Sequence, residues 1–375
     1  MRRFFPVIRR LFYIVILAVF LIALSVMKNN SETCESMTRG VVRSYNRIFT
    51  SISGFIGFVS LTELLFIALS IICIAALVFA IIAFVRREFV LGSSRLLIIP
   101  VIVLLVVADY SFSCELAYNR KEIPLPYYET EVSRTDYVSI YNYFADDLNY
   151  CIDQLTFLEN GDVEGKALNK ITKEVKEAYK IIEGDDYYHP YFGSVKSMLS
   201  SFLYREFQIT GVTFNPLGEA NINVLNTHAD IPFTVAHELA HTKGVMREDD
   251  ANQLAFYICL NSDSPYLRYS AYTNFFYQLQ MIASTSYLTK DELAECHKVN
   301  VAYSKTVYYE YTFWKEHDLL THIGDFFNNL YIKSSGVKEG TNSYAGGTDF
   351  EFDPTTNKLY PSLYQKLFFE KYYHQ

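Results

Sequence analysis

Three long apolar runs constrain this chain more than anything else in it. Leu11–Met27, Leu64–Val85 and Leu96–Phe112 carry almost no charge. Each falls within the length that crosses a bilayer core as a helix. Backbone groups in hydrocarbon have no water to bond, so a helix is the form expected for such runs. Half of the 375 residues are hydrophobic, and the excess collects before residue 114. The expected organisation is therefore a membrane part, residues 1–113, followed by a globular part, residues 114–375. The second part is long enough to bury a core of its own. A cleaved signal peptide is the competing reading of the first run, but no small-x-small cleavage site follows it and further spans do.

Arginines set the expected orientation. Arg2, Arg3, Arg9 and Arg10 precede the first span, and Arg86, Arg87 and Arg95 crowd the short second connection. The first connection, Lys28–Glu63, spreads four basic residues over a longer stretch. The positive-inside rule then puts the N-terminus in the cytoplasm and everything after Cys114 outside, in a multi-pass protein of the plasma membrane. The first connection has its own pattern. Val41, Tyr45, Ile48, Phe49, Ile52, Phe55 and Ile56 recur at three and four, with Arg39, Arg43 and Arg47 on a separate stripe. That spacing suits a helix lying on the membrane surface, or one packed on the outer domain. The lipid bilayer is thus an expected partner. Nucleic acid is not: the net charge is −8 and no basic patch interleaved with aromatics occurs.

Within the globular part the sequence His237-Glu238-Leu239-Ala240-His241 stands out. Two histidines four apart lie one turn above each other on a helix, so both imidazoles can reach one Zn²⁺. The glutamate after the first histidine projects close by and is placed to take a proton from an attacking water. Asp230 and Pro232 suit a helix start, and Gly244 suits its stop. Glu248-Asp249-Asp250 then opens a second helical run, where carboxylates favour the N-terminus. Glu248 shares a stripe with Ala251 and Ala255, small residues that let two helices approach. It is the expected third ligand, with Asp250 the runner-up and Asp249 facing water. The bland reading is an amphipathic helix with two solvated histidines and an acidic cap.

The six cysteines are scattered and form no C-x-x-C, which argues against a zinc ribbon. Cys114, Cys151 and Cys296 are able to form a disulfide outside the cell, with pairing unspecified. Helical patterns cover Arg134–Phe157, Glu164–Ile182, Val195–Arg205, Tyr266–Ser284, Lys290–Val299, Val301–Tyr331 and Pro361–Tyr373. Phe207–Phe214 and Ala220–Leu225 alternate like strands around a turn at Asn215-Pro216-Leu217-Gly218. Gly336–Asp349 reads as a glycine-rich loop.

Several stretches together resemble one family of bacterial multi-pass membrane proteins, domain of unknown function 3810. They are the opening spans, Phe58-Val59-Ser60-Leu61-Thr62-Glu63, the run Pro232–His241, Arg247-Glu248-Asp249-Asp250-Ala251-Asn252, Arg268-Tyr269-Ser270 and Gly340-Thr341-Asn342-Ser343-Tyr344. The resemblance implies a zinc-metallopeptidase type of protein. The stretch after the histidines is also similar to gluzincin peptidases, whose third ligand is a glutamate on the following helix. Membrane-embedded gluzincins have E-x-x-A-D there, and this chain has Asn252 in place of the final Asp. By that likeness Asn252 would support a ligand histidine through its amide oxygen. In this class an edge strand above the metal also pairs with extended substrate.

The fold expected is membrane-anchored and mainly α. Three N-terminal transmembrane helices precede an α+β zincin-like metallopeptidase domain with a small sheet. The function expected is a zinc-dependent peptidase, with Zn²⁺ held by His237, His241 and Glu248, Glu238 as general base, and a peptide or protein as substrate. Tyr344 and His322 are candidate donors to the oxyanion, each with a structural role as its alternative. A zincin-fold scaffold without turnover, and a zinc amidase acting on cell-wall material, are the competing functions.

Overall fold

The computed structural model describes residues 4–57, 59–214, 217–284, 287–334 and 337–374. Its contacts divide it into two units. The first is the chain up to Lys121 together with Phe214–Glu219, and the second is Glu122–Thr213 with the chain from Ala220.

Three helices of the first unit are long and apolar enough to cross a membrane: α1 (Phe5–Met27), α3 (Leu61–Val85) and the continuous helical run α4 (Phe89–Tyr118). Their outward side chains are apolar, as lipid-facing surfaces require. On α3 the buried positions Ala76, Ala80 and Ala83 follow helical spacing. Small residues there let α4 approach closely. The N-terminus of α3 is capped from a distant part of the sequence. Buried Glu219 accepts the Thr62 amide and hydroxyl, both at 2.8 Å, and the Leu61 amide at 3.3 Å. A carboxylate at that end also meets the positive pole of the helix dipole.

The first connection is helical, and its main piece is α2 (Arg43–Phe55). Its polar side is the buried one. The Asn46 amide donates to the Ser113 carbonyl at 3.1 Å, and the Ser53 hydroxyl to the Leu217 carbonyl at 2.6 Å. Ile48, Ile52 and Phe55 face outward. Of the expected turn, Leu217 and Gly218 belong to this unit, whereas Asn215 and Pro216 lie outside the described residues.

The second unit is mainly helical around an aromatic core. Its principal helices are α5 (Arg134–Asp153), α6 (Leu168–Ala178), the short α7 (Ser201–Glu206), α8 (Ile231–Thr242), α9 (Glu248–Leu260), α10 (Pro265–Phe275), α11 (Val301–Glu316), α12 (Thr321–Ser334) and α13 (Leu363–Tyr373). Phe256, Phe275, Tyr364 and Phe368 interlock at its centre, with Phe275 and Tyr364 stacked at 4.0 Å between ring centroids. A three-stranded sheet takes the order β1 (Ser194–Ser197), β3 (Glu219–Ile222), β2 (Gly211–Phe214), so β2 is an edge strand. A separate antiparallel pair joins β4 (Glu351–Asp353) to β5 (Lys358–Tyr360). None of the six cysteines, Cys114, Cys151 and Cys296 included, is in a disulfide.

Three expected helices are corrected. Val301–Tyr331 is not one helix: it breaks at residues 317–320 into Val301–Glu316 and Thr321–Ser334. Val195–Arg205 is not one helix: Ser194–Ser197 is a strand, and only Ser201–Glu206 is helical. The Met198 amide is drawn into the sheet by the Ile222 carbonyl, at 2.9 Å. Lys290–Val299 is helical only over Lys290–Ala294, started by a Thr289–Glu292 capping box. Beyond it, Asn142 and Asn149 of α5 accept the His297 and Asn300 amides, which holds the backbone away from helix. Gly340–Ala345, inside the expected glycine-rich loop, is a 3₁₀ turn, and Gly336 lies outside the described residues.

Candidate metal centre

Every residue of α8 is buried, which is unusual for a helix carrying three ionisable groups. Its start is secured from outside. The Phe233 amide donates to the Ser270 hydroxyl of α10 at 3.1 Å. Asp230, expected to cap this end, instead accepts side-chain donors from Asn226, Thr234 and Asn274. At the other end Gly244 takes φ +86°, a left-handed turn that costs little only for glycine. This turn brings the Val245 carbonyl back to the helix, 2.8 Å from His241 Nδ1. The carbonyl can only accept, so Nδ1 carries the proton and the Nε2 lone pair is left for a metal.

Glu248 opens α9 and reaches across to both histidines. Its Oε2 lies 3.2 Å from His237 Nε2 and 3.5 Å from His241 Nε2, and the two Nε2 atoms are 3.1 Å apart. Three ligands about 2.05 Å from a tetrahedral ion would be separated by about 3.3 Å. The observed triangle has those dimensions, so His237, His241 and Glu248 can together hold one metal ion and leave a fourth position open. They are also a cluster of buried groups whose donor atoms all lie within 4.8 Å of one another. The neighbouring carboxylates go elsewhere. Arg247 grips Asp250 with two hydrogen bonds, and Asp249 accepts the Asp250 amide beside the Gly346 backbone.

Electrostatics follow from the burial. Burial alone would raise Glu248, but the two imidazoles outweigh it and hold the carboxyl well below its ordinary range. Burial presses His241 toward neutrality, and Glu248 reverses that and lifts the imidazole to about 9. Glu238 behaves differently. Burial raises it, and neither the imidazoles nor a hydrogen bond cancels the effect. That bond comes from edge strand β2: the Thr213 hydroxyl lies 2.7 Å from Glu238 Oε2 and 2.9 Å from the Glu238 carbonyl. The same strand leaves no room beside the carboxylate. A Cβ at Gly211 would stand 2.5 Å from Glu238 Oε1.

The 3₁₀ turn brings Tyr344 to the centre. Its hydroxyl is turned toward Glu248 and Asn328 of α12, and burial of the hydroxyl beside the Glu248 charge raises the phenol well above its ordinary range. His322 is exposed on α12, and no contact among the described residues joins it to the cluster. Asn252 does not support either imidazole. Its amide donates to the Tyr344 carbonyl at 3.1 Å, and His237 Nδ1 has no hydrogen-bond partner among the described residues. Thr213, Gly211, Asn328 and the Val245 carbonyl were not legible as parts of the site. Only Gly244 gave a signal, for the turn that delivers Val245.

The model of one protein family, described as Protein of unknown function (DUF3810), matches residues 37–350, a stretch that contains the whole cluster. No curated protein and no solved structure matches the chain. With most of its length matched and three helices long and apolar enough to cross a membrane, the chain belongs to the DUF3810 family.

Proposed function

We propose that the chain is a membrane-anchored zinc metallopeptidase, with a zincin-like α+β catalytic domain on the outer side of the membrane. The observation that carries this reading is the triangle of His237, His241 and Glu248 donors, with Glu238 buried beside it and not part of it. Two imidazoles and one carboxylate with an open fourth position form a donor set suited to catalytic zinc. Zinc held there would supply Lewis acidity to water and to the scissile carbonyl.

The remaining steps belong to the chain. Glu238 takes the proton of the attacking water and later delivers it to the leaving amine. Its raised affinity for protons, caused by burial, favours both taking and holding that proton. Thr213 holds Oε2 in one place, so the carboxylate is positioned before substrate arrives. The Tyr344 hydroxyl, beside Asn328 and raised above the ordinary phenol range by burial, is a neutral donor available to the oxyanion that develops on the carbonyl. Edge strand β2 has one side free to pair with an extended peptide, which would fix the scissile bond by main-chain hydrogen bonds.

Metal analysis of the detergent-solubilised chain, followed by a peptide-library cleavage screen with and without chelator, tests the reading. One zinc per chain and chelator-sensitive cleavage are expected. A full complement of zinc with no cleavage of any peptide points to a scaffold. Absence of zinc after purification and reconstitution refutes the proposal.

A further inference from the structure

Helix α12 carries its apolar side outward. Gly324, Asn328 and Ile332 form its inner face. A Cβ at Gly324 would lie 3.0 Å from the Phe207 carbonyl, Asn328 is turned toward Tyr344, and Ile332 is fully buried. Ile323, Phe326 and Leu330 form the opposite face at three- and four-residue spacing, and Leu319 extends it by one turn. All four are at least half exposed, with Phe326 at 64% and Leu319 at 79%. Phe202 and Leu203 of α7 are exposed as well. The Leu320 amide donates to the Glu206 carbonyl at 3.0 Å, and Gln208 to the Trp314 carbonyl at 2.7 Å, which ties the end of α7 to the α11–α12 turn. A surface helix in a soluble domain normally turns such a stripe toward the core. Four large apolar side chains turned outward on one helix face mark an interaction surface.

We infer that this face of α7 and α12 lies in the interfacial layer of the bilayer. The three apolar helices keep the chain at a lipid surface permanently, so the effective concentration of lipid around the second unit is high whatever else is present. The stripe has the form of an interfacial helix: apolar residues on one side, with His322 and Asp325 exposed between them at its edge. A helix in this position has no need of a basic face, because the spans already supply the anchoring. The inference concerns the surface alone and does not depend on metal or on catalysis.

Tryptophan depth measurements on the full chain test it. The protein has one native tryptophan, Trp314, which stays in place and supplies the background. F326W and L203W are placed separately in chains reconstituted into phosphatidylcholine–phosphatidylglycerol (3:1) nanodiscs, one chain per disc. Y150W is the control. Tyr150 is half exposed and follows Asn149, which hydrogen-bonds Lys298 and Asn300 just before the start of α11. The 16 residues of α11 put it about 24 Å from the α11–α12 turn. For F326W and L203W the added emission is expected at shorter wavelength than for Y150W. Lipids with a nitroxide near the carbonyl should quench it at least twofold, and acrylamide should quench it less than it quenches Y150W. Acrylamide quenching equal to that of Y150W, without nitroxide quenching, overturns the inference. So does shielding that appears only when two chains share a disc, which would assign the face to a second copy. I323W provides a further position should either variant fail to fold.

Discussion

Gly211 and Glu238 should be energetically coupled, and the coupling can be measured without a substrate. A methyl group at position 211 would stand 2.5 Å from Glu238 Oε1, 2.6 Å from Cγ and 2.8 Å from Cδ. Carbon contacts are comfortable at about 3.5–4.0 Å, so the buried carboxylate must retreat by most of an ångström. Overpacking of this kind costs about 1–3 kcal/mol. Displacing Oε2 from Thr213 weakens a hydrogen bond to a charged group, a further loss of about 1 kcal/mol or more. Against this, Gly→Ala where the backbone is compatible gains about 0.4–1 kcal/mol from the unfolded chain. Gly211→Ala should therefore destabilise the protein by about 2 kcal/mol. In the Glu238→Ala background the clashing atoms are gone, and the same substitution should be neutral or slightly stabilising. The coupling energy of the cycle is then about 2 kcal/mol. Thermal unfolding of the four proteins in one detergent, followed by circular dichroism, reads it as a melting-temperature drop of about 4–8 °C in one background only. An equal drop in both backgrounds would refute the argument, because the contact responsible would not be Glu238.

The other predictions concern the centre and the topology. Glu238→Gln should leave zinc content and folding unchanged and lower hydrolysis by about a hundredfold, the scale of a lost general base; a parallel loss of zinc would make Glu238 structural. Glu248→Ala should lower zinc affinity by more than the about 10–100-fold typical of residues outside the ligand set, while Asp249→Ala changes it little; isothermal titration with zinc distinguishes them, and the reverse order would move the third ligand to another carboxylate. Tyr344→Phe should keep zinc and reduce kcat by about 10²–10³-fold, the usual effect of removing an oxyanion donor; an unaltered kcat removes Tyr344 from the reaction. A reporter fused after Gln375 should be active only outside the cytoplasm and one after Arg87 only inside; cytoplasmic activity at the C-terminus would reverse the orientation.

Local patterns were legible where one segment determines its own structure. The apolar runs predict α1, α3 and α4, because lipid exposure demands apolar residues regardless of the rest of the fold. The H-E-x-x-H spacing, and the stripe that Glu248 shares with Ala251 and Ala255, follow from helical periodicity alone, and the structure brings the three side chains together. What escaped the sequence is supplied across the fold. Ser270 secures the start of α8, Thr213 holds Glu238, and the α5 asparagines hold the backbone after Ala294 away from helix. Each comes from a segment distant in the chain, with no periodicity to announce it. Asn252 shows the converse: a place in a motif suggested a role, and the Tyr344 carbonyl claims its amide instead.

The cap on α3 bears on how the protein is made. Thr62 and the carboxylate that receives its amide are 157 residues apart. At synthesis rates of about 5–20 residues per second, Thr62 is made about 8–30 s before Glu219 exists. Hydrophobicity alone must therefore insert this span. The Ser60 hydroxyl, next to it in the chain, can accept the Glu63 amide at once, at 3.1 Å, but the Leu61 and Thr62 amides wait for Glu219 until much of the second unit has been translated. Chains stopped at Lys121 would contain α1, α3 and α4 and still lack part of the first unit. Assembly of that unit thus waits on a late segment, so nascent chains pass through a stage with all spans synthesised and one of them unfinished at its end.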